Sequence, residues 1–297
     1  MVEYILGNYL VDMGKISKEQ LKRVLEKQDE VRVKMGLLAV AEGLMTVEQA
    51  DTVNQLQTTM DKRFGDIAVE KGFLTEEQIS NLLKKQGNAY LAFAQCLVNE
   101  NLLQLSELEQ IIESFRIKHS FSKSDMEDLR SDEPERIVPL FLSPEMLCYK
   151  DIINVFIRTL IRCVDRHIYV SKAFISESLT VHQAAFQKSV GHAFPITGYK
   201  ELEIGIAEEN GGLSAIASAF CKEDAELCEN DALDAAGELL NCVNGLYATS
   251  LSREGIETDM LPPDYITQTT TLQDLHTCCI PVYFGYKKAL FMVTGRK

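Results

Sequence analysis

The chain has 297 residues, of which 46% are hydrophobic and 25% charged, with 17 Gly, 7 Pro and no Trp. That length suits about two domains of ordinary globular composition and argues against collagen, a disordered tail or a disulfide scaffold. Net charge is −14, spread as −6 over residues 1–115, −2 over 116–145 and −6 over 146–297, so no segment offers the basic face that nucleic acid requires.

No apolar run nears the roughly 18 residues of a membrane span. The N-terminus MVEYILGNYL has Glu3 and lacks a basic leader region, so a cytoplasmic protein without a membrane partner is expected. The eight cysteines (Cys96, Cys148, Cys163, Cys221, Cys228, Cys242, Cys278 and Cys279) form no C-x-x-C pair, and the five histidines are scattered. No metal site is therefore expected, and most of the thiols read as small core residues in a reducing compartment.

The first 115 residues repeat with a period of 29. Gly7, Gly36 and Gly65 keep that spacing, with Ala94 at the next step; Gly14, Gly43 and Gly72 keep it too, followed by Asn101. The columns Leu21, Ala50, Ile79, Leu108 and Gln28, Gln57, Gln86 travel with them. Each unit reads as two short helices, the first stopped at the second glycine by a left-handed residue. The second helix starts at Ser17, Thr46 or Thr75, with Gln20, Gln49 or Gln78 three residues on, the signature of a capping box. Gln104 and Asn101 mark the fourth unit as the degraded end.

The pattern L-G-x6-G-x6-L-x3-L-x2-Q, from Leu6, Gly7 and Gly14 to Leu21, Leu25 and Gln28, resembles the N-terminal domain of the MshE-type secretion and pilus ATPases. The resemblance implies cyclic di-GMP as ligand, held by an Arg before each Leu-Gly. Here that column reads Ile5, Lys34, Arg63 and Ala92, so Lys34, Gly36, Arg63 and Gly65 are the nucleotide-binding candidates. The other reading is that the repeat helices pack on one another or on a protein and bind no nucleotide.

Residues 118–136 are charge-dense and poor in large apolar side chains, and read as part of a charged linker over 116–145. Residues 146–297 read as a second domain. Asp151 to Asp165 has helical periodicity, and His167 to Ile175 reads as a strand. Two hairpins are expected, one joining Glu201–Glu208 to Leu213–Phe220 through Asn210-Gly211-Gly212 and one joining Thr277–Phe284 to Ala289–Thr294 through Gly285-Tyr286-Lys287-Lys288. A helix is expected between them, from about Asn230 to Ser250. The segregation of strands from helices predicts an α+β domain with a mainly antiparallel sheet behind an all-α repeat domain.

On that helix Asp234, Glu238, Asn241 and Gly245 are separated by four, three and four residues, which places them on one face. Leu233, Leu240, Val243 and Leu246 supply apolar contacts on other sides. Gly237 and Gly245 each cost about 1 kcal/mol against Ala inside a helix, which a close approach to the backbone or tight packing on the sheet would explain.

The run Asp234-x3-Glu238-x2-Asn241-x21-Pro263 resembles the active-site pattern of the CheC/CheX/FliY phosphatases, in the single-copy CheX arrangement. The resemblance implies hydrolysis of the phosphoaspartate of a CheY-like response regulator. Asn241 would position water and Glu238 would pair with the regulator's active-site Lys; Asp234, Gly245 and Pro263 are supporting residues. This chain would bind no cofactor of its own, since the Mg²⁺ belongs to the partner. The resemblance also implies a homodimer through sheet edges. The competing reading is a non-catalytic signalling adaptor that docks a receiver domain or binds cyclic di-GMP.

Overall fold

A computed structural model describes residues 1–28, 33–60, 62–84, 88–164, 168–191, 200–223 and 227–296. The chain divides into two compact units, Val2–Asp132 and Glu133–Lys297. Gln86 and His167, both invoked above, lie outside the described residues.

The first unit is helical. Its helices are α1 (Val2–Asp12), α2 (Lys18–Lys27), α3 (Met35–Ala41), α4 (Val47–Met60), α5 (Phe64–Glu70), α6 (Glu76–Lys84), α7 (Ala89–Asn99), α8 (Leu105–Lys118) and α9 (Lys123–Arg130). Gly14, Gly43 and Gly72 close the first helix of their repeats at φ +66°, +66° and +72°, and Asn101 does the same at +54°. A short polar side chain makes Asn the usual substitute for Gly in that conformation. Each second helix opens on a reciprocal cap. Ser17 Oγ accepts from the Gln20 amide at 3.2 Å while Gln20 Oε1 accepts from the Ser17 amide at 2.7 Å. Thr46 with Gln49 and Thr75 with Gln78 repeat it, and Gln104 with Glu107 makes a fourth.

The other glycine column has a packing cause. A Cβ on Gly7 would lie 2.4 Å from Leu21 Cδ1, one on Gly36 3.1 Å from the Phe64 ring, and one on Gly65 3.3 Å from Ile79 Cγ2. Leu21 and Ile79 are themselves repeat-column residues, so small and large positions interlock within one unit.

The expected linker is not a structureless connector. Residues 123–130 form α9, opened by a Ser122–Asp125 capping box (2.7 and 3.1 Å). Its Met126 and Leu129, three residues apart, are both buried. Beyond it come the short helix α10 (Pro134–Ile137) and 3₁₀ turns over Val138–Phe141 and Pro144–Tyr149, which bury Ile137, Val138, Phe141, Met146 and Tyr149. Mean composition hid a few well-spaced apolar side chains among many charges.

The second unit is α+β. After α11 (Lys150–Cys163) come β1 (Ile168–Val170), β2 (Phe174–Val181), β3 (Ala184–Gly191) and β4 (Glu201–Glu209). Helices α12 (Gly212–Cys221) and α13 (Glu229–Arg253) follow, then β5 (Thr258–Met260), β6 (Asp264–Ile266), β7 (Thr270–Phe284) and β8 (Lys287–Arg296). The strands form one antiparallel sheet in the order β1-β7-β8-β4-β3-β5, with β2 also on β7 and β6 also on β3.

Alternation along β3, β4, β7 and β8 gives the sheet a face covered by helices. Ile204, Ile206, Ile280, Val282, Phe291 and Val293 are all buried there, and Phe291 stacks on Phe156 of α11 with centroids 3.6 Å apart. The hairpin β7–β8 is present, but its turn is only Gly285 (φ +61°) and Tyr286, because Lys287 and Lys288, expected in the loop, already pair with Phe284 and Tyr283.

The other expected hairpin is absent. Gly211 (φ +76°) leads into helix α12 instead, so Leu213–Phe220 is helical. The Glu208 carboxylate supplies the reason: it accepts from the amides of Gly211, Leu213 (3.1 Å) and Ser214 (3.3 Å), capping the helix start.

The thiols also differ from expectation. Only Cys96, Cys278 and Cys279 are buried; Cys148 and Cys163 are half-buried, and Cys221, Cys228 and Cys242 are exposed. Burial pushes the Cys278 and Cys279 thiols up to about 12, so those two are inert packing residues.

Among the described residues no helix is long and apolar enough to cross a membrane.

Candidate functional site

Helix α13 lies across β3 and turns one side outward. Along that side Asp234 and Glu238 are exposed, while Asn241 and Gly245 are half-buried. Leu233, Leu240 and Val243 are buried against the rest of the unit, whereas Leu246, expected among them, is 42% exposed.

After α13 the chain turns at Gly255 (φ +81°) and runs back along the free edge of β3. There β5 pairs Met260 with Ser189, and β6 pairs Asp264 with Phe186 and Tyr265 with Ala185. Between them the Leu261 amide donates to the Lys188 carbonyl at 2.9 Å. Pro262 and Pro263, which have no N–H to offer a strand, span the break between the two pairings. Leu261, two residues before Pro263, is linked to Asn241 through Gln187, which donates to the Leu261 carbonyl and to Asn241 Oδ1.

The two glycines of α13 have different causes. A Cβ on Gly237 would sit 2.4 Å from the Tyr265 hydroxyl, so this glycine makes room for a tyrosine lying on the helix. A Cβ on Gly245 would meet nothing within 4 Å. Burial raises the Tyr265 phenol, and the Asp234 and Glu238 carboxylates raise it further. Tyr265 thus lies over Gly237 with its phenol kept protonated at neutral pH.

Beneath Asn241 lies a polar cluster that the motif does not contain. Gln187 of β3, only 1% exposed, donates from Nε2 to Asn241 Oδ1 and to the Leu261 carbonyl at 3.0 Å. Its Oε1 accepts from Asn244 Nδ2 at 2.8 Å. Little in the sequence marks Gln187, Asn244 and Tyr265, because their partners lie far off in the chain. The one local signal is a glutamine at an inward position of the strand Ala184–Gly191.

Met260 and Tyr265 are in register with Ser189 and Ala185, whose side chains share the Gln187 face of β3. Both are more than 40% exposed, so apolar and aromatic side chains frame the carboxylates and the amide. The arrangement is an open surface suited to a macromolecular partner, with a hydrogen-bonding centre and an apolar rim. Among the described residues no three His, Cys, Asp or Glu side chains converge as a metal site.

The four candidates in the helical unit are not gathered in this way. Lys34 and Arg63 are the exposed N-cap residues of α3 and α5, each without a side-chain cap bond. Lys34 lines a cavity of about 480 Å³ with Gln95, Asn101 and Gln104, which Gly36, Arg63 and Gly65 do not line. Gly36 and Gly65 are taken up in the packing already described.

Residues 192–284 match the model of the family described as chemotaxis phosphatase CheX, a stretch that includes the outward face of α13, Pro263 and Tyr265. No curated protein matches the chain. Among solved structures, a chemotaxis protein CheX from Desulfovibrio desulfuricans is 14% identical, with 50% of this chain and 99% of that one covered and a TM-score of 0.41. A CheC-like superfamily protein from Shewanella sp. PV-4 is 21% identical over 50% and 98%, at 0.40. A chain of the CheX–CheY–BeF3–Mg complex from Borrelia burgdorferi is 14% identical over 49% and 96%, at 0.39.

Proposed function

We propose that the Glu133–Lys297 unit hydrolyses the phosphoaspartate of a CheY-like receiver domain. The observation that carries this is the outward face of α13, where Glu238 and Asn241 stand one turn apart with the Asn241 carbonyl end tied to Gln187. The match of residues 192–284 to a phosphatase family supports the reading.

The chemistry asks little of the second protein. In an acyl phosphate the carboxylate is already a good leaving group, and the magnesium ion and lysine of the receiver neutralise the phosphoryl oxygens. What is missing is a water held in line on the far side of phosphorus. Its oxygen forms the new P–O bond as the bond to the aspartyl oxygen breaks, giving inorganic phosphate and the free carboxylate. Asn241 is the catalytic residue that holds this water. With Oδ1 engaged by Gln187, its amide NH₂ is the end left to donate to the water or to an equatorial oxygen. Glu238 makes no ion pair among the described residues and is placed to accept from the receiver's lysine, fixing the docking register. Asp234 and Pro263 support the surface, and the Met260 and Tyr265 side chains cover apolar ground on the receiver.

The test is decay of a phosphorylated receiver with and without the full-length chain. Acceleration of about tenfold or more at catalytic amounts is expected. Binding of the receiver with no change in its decay would make the chain an adaptor instead.

Gly245 provides a separate check on the docking face. Gly245→Ala removes the glycine penalty inside a helix and meets no neighbour, so urea denaturation should show a gain of about 1 kcal/mol. If the receiver lies over this bare stretch of backbone, the same variant binds it more weakly despite being more stable. Unchanged binding would move the footprint away from Gly245.

A further inference from the structure

We infer that Gln187 is the positioning residue of this site, fixing which end of the Asn241 amide faces the reacting phosphate; the inference rests on the reading of Asn241 given above. The orientation follows from hydrogen-bond chemistry alone. A peptide carbonyl can only accept, so the Gln187 atom 3.0 Å from the Leu261 oxygen is its NH₂ nitrogen. That same nitrogen meets Asn241, so the Asn241 atom facing it is the carbonyl oxygen. The remaining Gln187 atom is therefore Oε1, and the Asn244 atom 2.8 Å from it is Nδ2. One backbone carbonyl thus sets the sense of three side-chain amides in series, and a flip of any one would oppose donor to donor or acceptor to acceptor.

Two further features fit a device that orients a group. Asn244 is 1% exposed and its Oδ1 has no hydrogen-bond partner among the described residues. A core selected only for stability would not keep that orphan acceptor when an apolar side chain could fill the space. The Leu261 carbonyl that starts the series belongs to the Leu261-Pro262-Pro263 segment, and the Leu261 amide is pinned to Lys188 at 2.9 Å. This gives the spacing between Asn241 and Pro263 a physical purpose: the prolines hold the carbonyl that orients Gln187, and Gln187 orients Asn241.

The experiment compares full-length wild type with Gln187→Leu and Gln187→Glu, using a phosphorylated receiver as substrate. Gln187→Leu should leave KM within about twofold and lower kcat by about tenfold or more, because docking is intact while the amide can rotate. Gln187→Glu should lose as much at pH 8, where an ionised carboxylate cannot donate to Asn241 or Leu261. It should recover relative to wild type as the pH falls, because burial raises the carboxyl's titration and the protonated acid regains one donor. Protonation also relieves a buried charge, so circular dichroism at each pH must show the same folded fraction for the recovery to report the restored donor; a recovery that only tracks refolding counts against the inference. The second readout needs no turnover: the Asn241 side-chain NH₂ in NMR relaxation should be as ordered as the backbone in wild type and mobile in Gln187→Leu.

A kcat within twofold of wild type in Gln187→Leu, a loss confined to KM, or an Asn241 amide equally ordered in both proteins each overturns the inference. A wild type that leaves receiver decay unchanged counts against the phosphatase reading instead, and the NMR comparison then decides the role of Gln187 by itself. Should Gln187→Leu fail to fold, Gln187→Met keeps the side-chain length without the amide and takes its place.

Discussion

Asn241→Ala is expected to lower kcat for receiver dephosphorylation by about 10²- to 10³-fold, the loss typical of removing one oriented donor from a reacting centre. KM should move by less than about threefold, because the removed group contacts the transition state more than the docked partner. Asn241→Asp separates orientation from donation. Its carboxylate still accepts from Gln187, so the cluster beneath it persists, but no N–H is left to face the phosphate. The aspartate variant should therefore be as slow as the alanine one. Stopped-flow decay of the phosphorylated receiver under saturating and subsaturating conditions measures both constants. An aspartate variant with wild-type kcat would show that no donor is needed there, and the catalytic assignment of Asn241 would fail.

The parts of this molecule legible from its sequence are those whose causes are local. A capping box spans four residues, a left-handed stop needs one, and both recur at a fixed period, so the repeat helices follow from Gly14, Ser17 and Gln20 and their counterparts. Helix α13 is likewise written in its own 3.6-residue spacing, which also places Asp234, Glu238, Asn241 and Gly245 on one side. What could not be read depends on distant partners. Gln187 meets groups 54, 57 and 74 positions away, and nothing near it in the chain marks it as more than a polar strand residue. Gly237 reads the same as Gly245, yet only one has a tyrosine lying over it. Charge density misled over residues 118–136, where Met126 and Leu129 suffice to seat a capped helix.

The sharpest case is Asn210-Gly211-Gly212, a hairpin signal by composition and a helix start in fact, and it carries the largest expected effect on stability. Gly211 is glycine for its backbone angle, but Gly212 is glycine for space. A Cβ there would lie 2.0 Å from the Lys288 carbonyl carbon and 2.2 Å from the Ala289 nitrogen. Those are backbone atoms of β8, which is paired on both sides by β4 and β7, so the strand cannot yield. By contrast, the nearest atoms to a Cβ on Gly205 belong to the half-buried Phe186 ring, a side chain that can shift, with the Ala185 carbonyl oxygen as the nearest backbone atom at 3.2 Å.

Gly212→Ala is therefore expected to destabilise the unit by about 3 kcal/mol, with Gly205→Ala milder. Alanine's advantage over glycine in a helix, about 1 kcal/mol, is too small to offset a backbone collision. Relief would require α12 to lift off β8, breaking the Glu208 cap and exposing Leu213 and Ile216, both now buried. A urea midpoint for Gly212→Ala equal to that of wild type, with unchanged slope, would mean that α12 does not meet β8 as closely as described.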